Sequence, residues 1–124
     1  MKKLQNNFTT PEQSKRLLEL GVPAESADTT ITGHVHYDHS THTNHNYWAH
    51  TMINFKGKPD MECYLPCWSV GRLIEICLKC STLEQRHVRF FCNGDDDEYS
   101  LIDYVVTVLE SGVITNHMDF SKLD

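Results

Sequence analysis

Apolar positions along the chain change period several times, and each change marks an element. Ser14, Leu17, Leu18 and Gly21 recur at three- and four-residue steps, the spacing of one helical face, just after Thr9-Thr10-Pro11-Glu12-Gln13. With Thr10 as N-cap, Pro11 takes the first helical position, where its missing N–H costs nothing, and Gln13 sits three residues on, able to reach back. Thr9 with Glu12 makes an equally legal box one residue earlier. The helix is expected to run to about Leu20, because Gly21 can turn left-handed and Pro23 cannot continue a helix.

From Thr29 to Tyr37 the period becomes two. Ile31, Gly33, Val35 and Tyr37 alternate with Thr30, Thr32, His34 and His36, which predicts a half-buried strand with one wet face. Tyr47 to Phe55 is rich in aromatic and β-branched residues and is expected to pair back antiparallel. The wholly polar stretch Asp38 to Asn46 then reads as an exposed hairpin loop. Lys56-Gly57-Lys58-Pro59-Asp60 is turn chemistry and closes the unit.

Leu65-Pro66-Cys67-Trp68-Ser69 leads into a helix of about ten residues whose expected inner face is Val70, Leu73, Ile74, Cys77 and Leu78. Alternation over Arg86 to Cys92 predicts a strand ended by Asn93-Gly94, followed by the acidic run Asp95 to Glu98. Ser100 with Asp103 is a helix start signal for the apolar face Leu101, Ile102, Val105, Val106 and Leu109, although the β-branched run Val105 to Val108 also fits a strand. Val113 and Ile114 are expected as a short edge strand, and the tail beyond Asn116 as loose. Helices and strands without a regular alternation indicate an α+β fold: an antiparallel sheet with about three helices packed on one face.

At 124 residues one domain, 1–124, is expected. The 11 basic residues against 17 acidic ones leave a net charge of −6 and no surplus with which to neutralise phosphates or an anionic bilayer, so neither nucleic acid nor membrane is an expected partner. No apolar run approaches the roughly 20 residues of a membrane span, and Met1-Lys2-Lys3 leads into polar residues rather than the apolar stretch of a signal peptide. A cytoplasmic location is expected, where five cysteines stay reduced. Cys63 with Cys67 and Cys77 with Cys80 offer four thiolates in half of a zinc spacing, but Cys77 falls on the helix stripe and reads as a packing residue. Cys67, near a helix start, is the one thiol placed to feel a helix dipole, although it too reads as packing. Trp68 reads as core, and Trp48 as core or partner anchor.

Histidine is the compositional surprise: of 8, six fall between His34 and His50. His34-Val35-His36-Tyr37-Asp38-His39 resembles the H-x-H-x-D-H string of the metallo-β-lactamase superfamily, but that fold is a four-layer sandwich well beyond this length, and the six-residue match does not carry its chemistry over. A plainer metal site remains conceivable. His34 and His36 project from one side of a strand, and His39 or His42 in the loop could complete three ligands for zinc, nickel or copper. The opposing reading is a solvated strand face and loop, and on it no catalytic residue, no cofactor and no committed metal ligand is expected.

Asn7 to Pro23, Ser26-Ala27-Asp28, and Leu65 to Ile76, with the Ser111-Gly112-Val113-Ile114 ending of the last helix, resemble a group of small uncharacterised proteins encoded in Bacteroides-type genomes near prophage or conjugative-element genes. The resemblance leaves out the histidine-rich hairpin. It implies an accessory protein of a bacterial mobile element or phage, with no catalytic residues to carry over. Two functional classes therefore stand side by side: a non-enzymatic interaction module with a protein partner, and a transition-metal-binding protein or small metallohydrolase using the His34–His50 cluster.

Overall fold

The computed structural model describes residues 7–82 and 101–123. Helix α1 spans Pro11–Glu19, strands β1, β2 and β3 span Thr29–Asp38, Thr43–Thr51 and Tyr64–Cys67, and helices α2 and α3 span Val70–Cys80 and Leu101–Ile114. The sheet is antiparallel in the order β2-β1-β3, and with the three helices it makes the expected α+β fold. The strand expected over Arg86 to Cys92, its Asn93-Gly94 end, the acidic run Asp95 to Glu98 and the start signal at Ser100 lie outside the described residues.

Local chemistry sets α1 at both ends. Between the two possible boxes the chain uses Thr10: its hydroxyl accepts from the Gln13 N–H at 3.1 Å, and Gln13 Oε1 accepts from the Thr10 N–H at 3.0 Å. At the other end the Val22 N–H donates to the Leu17 carbonyl and the Gly21 N–H to the Leu18 carbonyl, a Schellman closure that requires the positive φ of +93° found at Gly21. Gly21 thus ends the helix at the surface rather than lining its inner face. Ser14 and Leu17 form that face, with Leu18 half-buried beside it. Gln13 reaches Asp103 and Arg16 reaches Glu110 at 2.9 Å, tying α1 to α3.

Thr9, freed from capping, is buried beneath β3. Its hydroxyl accepts from the Trp68 N–H at 3.1 Å and shares a 2.8 Å bond with Ser14 Oγ. Trp68 is fully buried, as expected of a core residue, and its indole N–H donates to Ser26 Oγ at 3.0 Å. Ser69 caps α2, and its own hydroxyl donates to the Asp28 carboxylate. Around Trp68 the main core gathers Leu17, Leu73, Ile76, Ile102, Val105 and Leu109 from all three helices. A smaller cluster of Ile31, Leu65 and Cys67 lies on the sheet, flanked by Phe8, Leu18 and Trp48.

Four expectations are corrected by this packing. Leu65-Pro66-Cys67 is not a lead-in but most of β3, paired with Thr29 to Ile31; proline is tolerated there because β3 is an edge strand. Helix α2 buries Ile76 and Cys80 beside the expected Leu73 and Cys77, with Ile74 half-buried against the same core, whereas Leu78 is exposed. Its inner face is turned toward the C-terminal segment, where Asp119 N–H donates to the Cys80 carbonyl. Val113 and Ile114 form the last turn of α3 rather than a strand, and Val105 to Val108 is helical. The tail is not loose: Thr82 and His117 share a backbone bond, Met118 sits so close over Gly112 that a Cβ there would lie 2.7 Å from its Cγ, and Phe120–Lys122 forms a short 3₁₀ turn.

Candidate functional site: the histidine arm

β2 begins at Thr43, earlier than the expected Tyr47, and ends at Thr51 instead of Phe55. Only residues 39–42 remain as the turn, with His42 at a φ of +54°. Thr43 to Asn46, expected in a loop, pair with Val35 to Asp38. β1 and β2 therefore form a long two-stranded ribbon. β3 accompanies β1 only as far as Thr32, and a last bond from the Gly33 N–H to the Cys63 carbonyl, 2.8 Å, ends the contact. Beyond it the ribbon projects as an arm, with the β1 edge from His34 to Asp38 bare of β3.

The half-buried strand expected over Thr29 to Tyr37 is thus two half-strands. Thr29, Thr30 and Ile31 are buried, while from His34 to Tyr37 both faces are exposed, Val35 at 66%. One face carries Thr32, His34, His36 and Asp38 beside Thr43, His45, Tyr47 and Ala49; the other carries Val35 and Tyr37 beside Asn44, Asn46 and Trp48. His34 stacks on Tyr47 with ring centroids 5.3 Å apart and meets the Thr32 hydroxyl at 2.9 Å. His39 packs edge-on against Tyr37 at 4.9 Å, and His42 meets the Tyr37 hydroxyl at 3.2 Å.

These contacts decide the fate of the expected triad. His34 and His36 do share a face, but His39 and His42 are held by Tyr37, which belongs to the opposite face. His34, His36 and His39 are therefore not brought together, and among the described residues no three His, Cys, Asp or Glu side chains converge on a common point. The pattern of histidines alone overlooks the carboxylate on their face. Asp38 Oδ2 lies 3.6 Å from His45 Nε2, and the register sets His36 directly opposite His45. The letters held a signal for this, since a four-residue turn after Asp38 aligns the two histidines, but the polar run conceals the turn's length.

At the base of the arm a cleft of about 560 Å³ lies where β1 parts from the turn preceding β3. Lys15, Val35, Trp48, Asp60, Glu62 and Cys63 are among its lining residues, and the Lys15 ammonium stands 6.0 Å from the Trp48 ring. Trp48 is half-buried between this cleft and the smaller core cluster. Gly33 is required here: a Cβ would lie 2.9 Å from the Glu62 carbonyl oxygen.

Among the described residues the cysteines do not assemble either. Cys63 is exposed, whereas Cys67, Cys77 and Cys80 are buried. A hydrogen bond with Asp60 raises the Cys63 pKa, burial raises that of Cys67, and burial pushes Cys77 up to about 12. All three stay protonated thiols at neutral pH, so Cys67 packs, its Sγ donating to the Thr9 carbonyl at 3.3 Å, and gains nothing from the helix it precedes. Compared with models of known protein families, with curated proteins and with solved structures, the chain finds no match.

Proposed function

We propose that the protein is a non-enzymatic interaction module that engages a protein partner through its β1–β2 arm, as a cytoplasmic accessory protein of a bacterial mobile element or phage. The observation that carries this reading is the arm itself. A two-stranded ribbon exposed on both faces gains little from its own packing, yet this one displays Val35, Tyr37 and Tyr47 beside an open strand edge. Such an edge supplies unpaired N–H and carbonyl groups to an incoming strand, and the apolar side chains beside it supply specificity. The acidic net charge favours protein over nucleic acid as the partner. The mobile-element setting rests on the resemblance of the two helical segments.

The test is affinity capture from the native host with three baits: the wild type, Val35→Lys with Tyr37→Lys, and Ile114→Lys, which alters an exposed apolar residue of α3, outside the arm. A protein retained by the wild type and by Ile114→Lys but lost from the double variant supports the arm as the binding element. Equal capture by all three baits rejects it.

A further inference from the structure

The turn end of the arm holds a side-chain arrangement that the interaction reading does not use. His36 and His45 are directly opposed across the two strands, so their Cβ atoms stand about 4.5–5.5 Å apart on one face. Asp38, two residues along β1 on that same face, has already turned one carboxylate oxygen toward His45, with Oδ2 3.6 Å from Nε2. Its other oxygen is committed: Oδ1 accepts from the Ser40 N–H at 2.9 Å and from the Ser40 hydroxyl at 2.7 Å. Ser40 thereby fixes the carboxylate's direction. Hydrogen bonds of this kind orient a carboxylate that ligates a metal.

The geometry points to a divalent transition-metal site made by His36, His45 and Asp38 at the turn end of the arm. Two imidazoles and one carboxylate form a donor set suited to zinc, with a fourth position left to water or to an outside ligand. As they stand the three do not converge. The ring that must move is His36, which is exposed, while His45 exchanges its 3.2 Å contact with the Thr43 hydroxyl for the ion. The set differs from the one the sequence pattern suggests: it keeps His36, replaces His34 and His39, which are engaged by Tyr47 and Tyr37, and adds two residues from either side of the turn. It stands independently of any protein partner.

The test uses the untagged full chain with Zn²⁺ as the probe, followed by calorimetry and by the histidine ring resonances in NMR. The expected result is one saturable site whose binding shifts the rings of His36 and His45 and leaves His34 and His39 unmoved. His36→Gln, His45→Gln and Asp38→Asn should each weaken binding by at least the roughly tenfold loss that removal of even an outer-shell partner brings. His34→Gln, His39→Gln and Cys63→Ser, the last removing the exposed thiol, should leave affinity within about twofold, as expected of groups outside the ligand set. Absence of saturation below millimolar Zn²⁺ overturns the site. So does loss of binding in the His34, His39 or Cys63 variant in place of the other three, and the wild-type resonances identify the ligands even where a variant fails to fold.

Discussion

Strand β1 lives in two environments within ten residues. Its first half, Thr29 to Ile31, is buried between β2 and β3, with Thr29 Oγ1 donating to the Cys67 carbonyl at 2.6 Å and Thr30 Oγ1 to the Ile53 carbonyl at 2.8 Å. Its second half, His34 to Tyr37, has β2 on one edge, nothing of β3 on the other and solvent on both faces. The body is held by nonlocal burial and the arm by its ladder and a few ring contacts. Residues of similar chemistry should therefore matter very differently on the two sides of Gly33.

The largest effect belongs to the body. Leu73 is fully buried where α2 meets the main core, and Leu73→Ala should cost about 2–5 kcal/mol, a large share of the roughly 5–15 kcal/mol that holds a typical domain. Chemical denaturation would measure it. A loss below about 1 kcal/mol, close to the range of surface changes, would mean that the helical core is not the anchor described above.

Next come the joints that fasten the body together. Thr9→Val keeps shape but deprives the buried Trp68 N–H and Ser14 hydroxyl of their partner, which should cost about 1–3 kcal/mol. Gly33→Ala forces a Cβ against the backbone at Glu62 and Cys63 and should cost about 1–3 kcal/mol as well, by prising β1 from the turn before β3. Thr10→Ala removes only the cap of α1, about 0.5–2 kcal/mol. Melting the three variants side by side ranks them, and Gly33→Ala as mild as a surface change would place the boundary between body and arm elsewhere.

The same division governs what can be read from the residues in order. α1 is legible at both ends because a capping box and a left-handed glycine are local chemistry, settled within a turn of the helix they bound. The stripe of Ile102, Val105, Val106 and Leu109 gives α3 a helical face, but the β-branched run Val105 to Val108 fits a strand as well, and only the packing of that stripe in the main core decides for the helix. β3 is not legible, because Pro66 signals a break and the strand that pairs with it, Thr29 to Thr32, lies far back along the chain. The buried face of α2 packs against α3 and the C-terminal segment, again partners distant along the chain. The arm is hidden for a different reason. A ribbon wet on both faces has no hydrophobic period, so Thr43 to Asn46 look like loop, and with them goes the alignment of His36 with His45.

The smallest effect should be found on the arm, and it bears most directly on the comparison. Val35 and Ile31 occupy the same face of β1 four residues apart, yet Val35 is 66% exposed and Ile31 5%. Val35→Thr exchanges a methyl for a hydroxyl that water can solvate, and it keeps the β-branching that suits a strand, so global stability should change by no more than about 0.5 kcal/mol. Ile31→Thr buries that hydroxyl in the cluster of Leu65 and Cys67, where an uncompensated polar group costs about 1–3 kcal/mol in addition to the lost packing. Hydrogen exchange gives the matching local reading: the amides of Thr29 to Ile31 should exchange only on global unfolding, and those of His34 to Asp38 far sooner, through opening of the ribbon alone. Equal protection along the whole strand, or a Val35→Thr loss as large as that of Ile31→Thr, would mean that the free chain already buries its arm, and that the open edge on which the interaction reading rests is closed in solution.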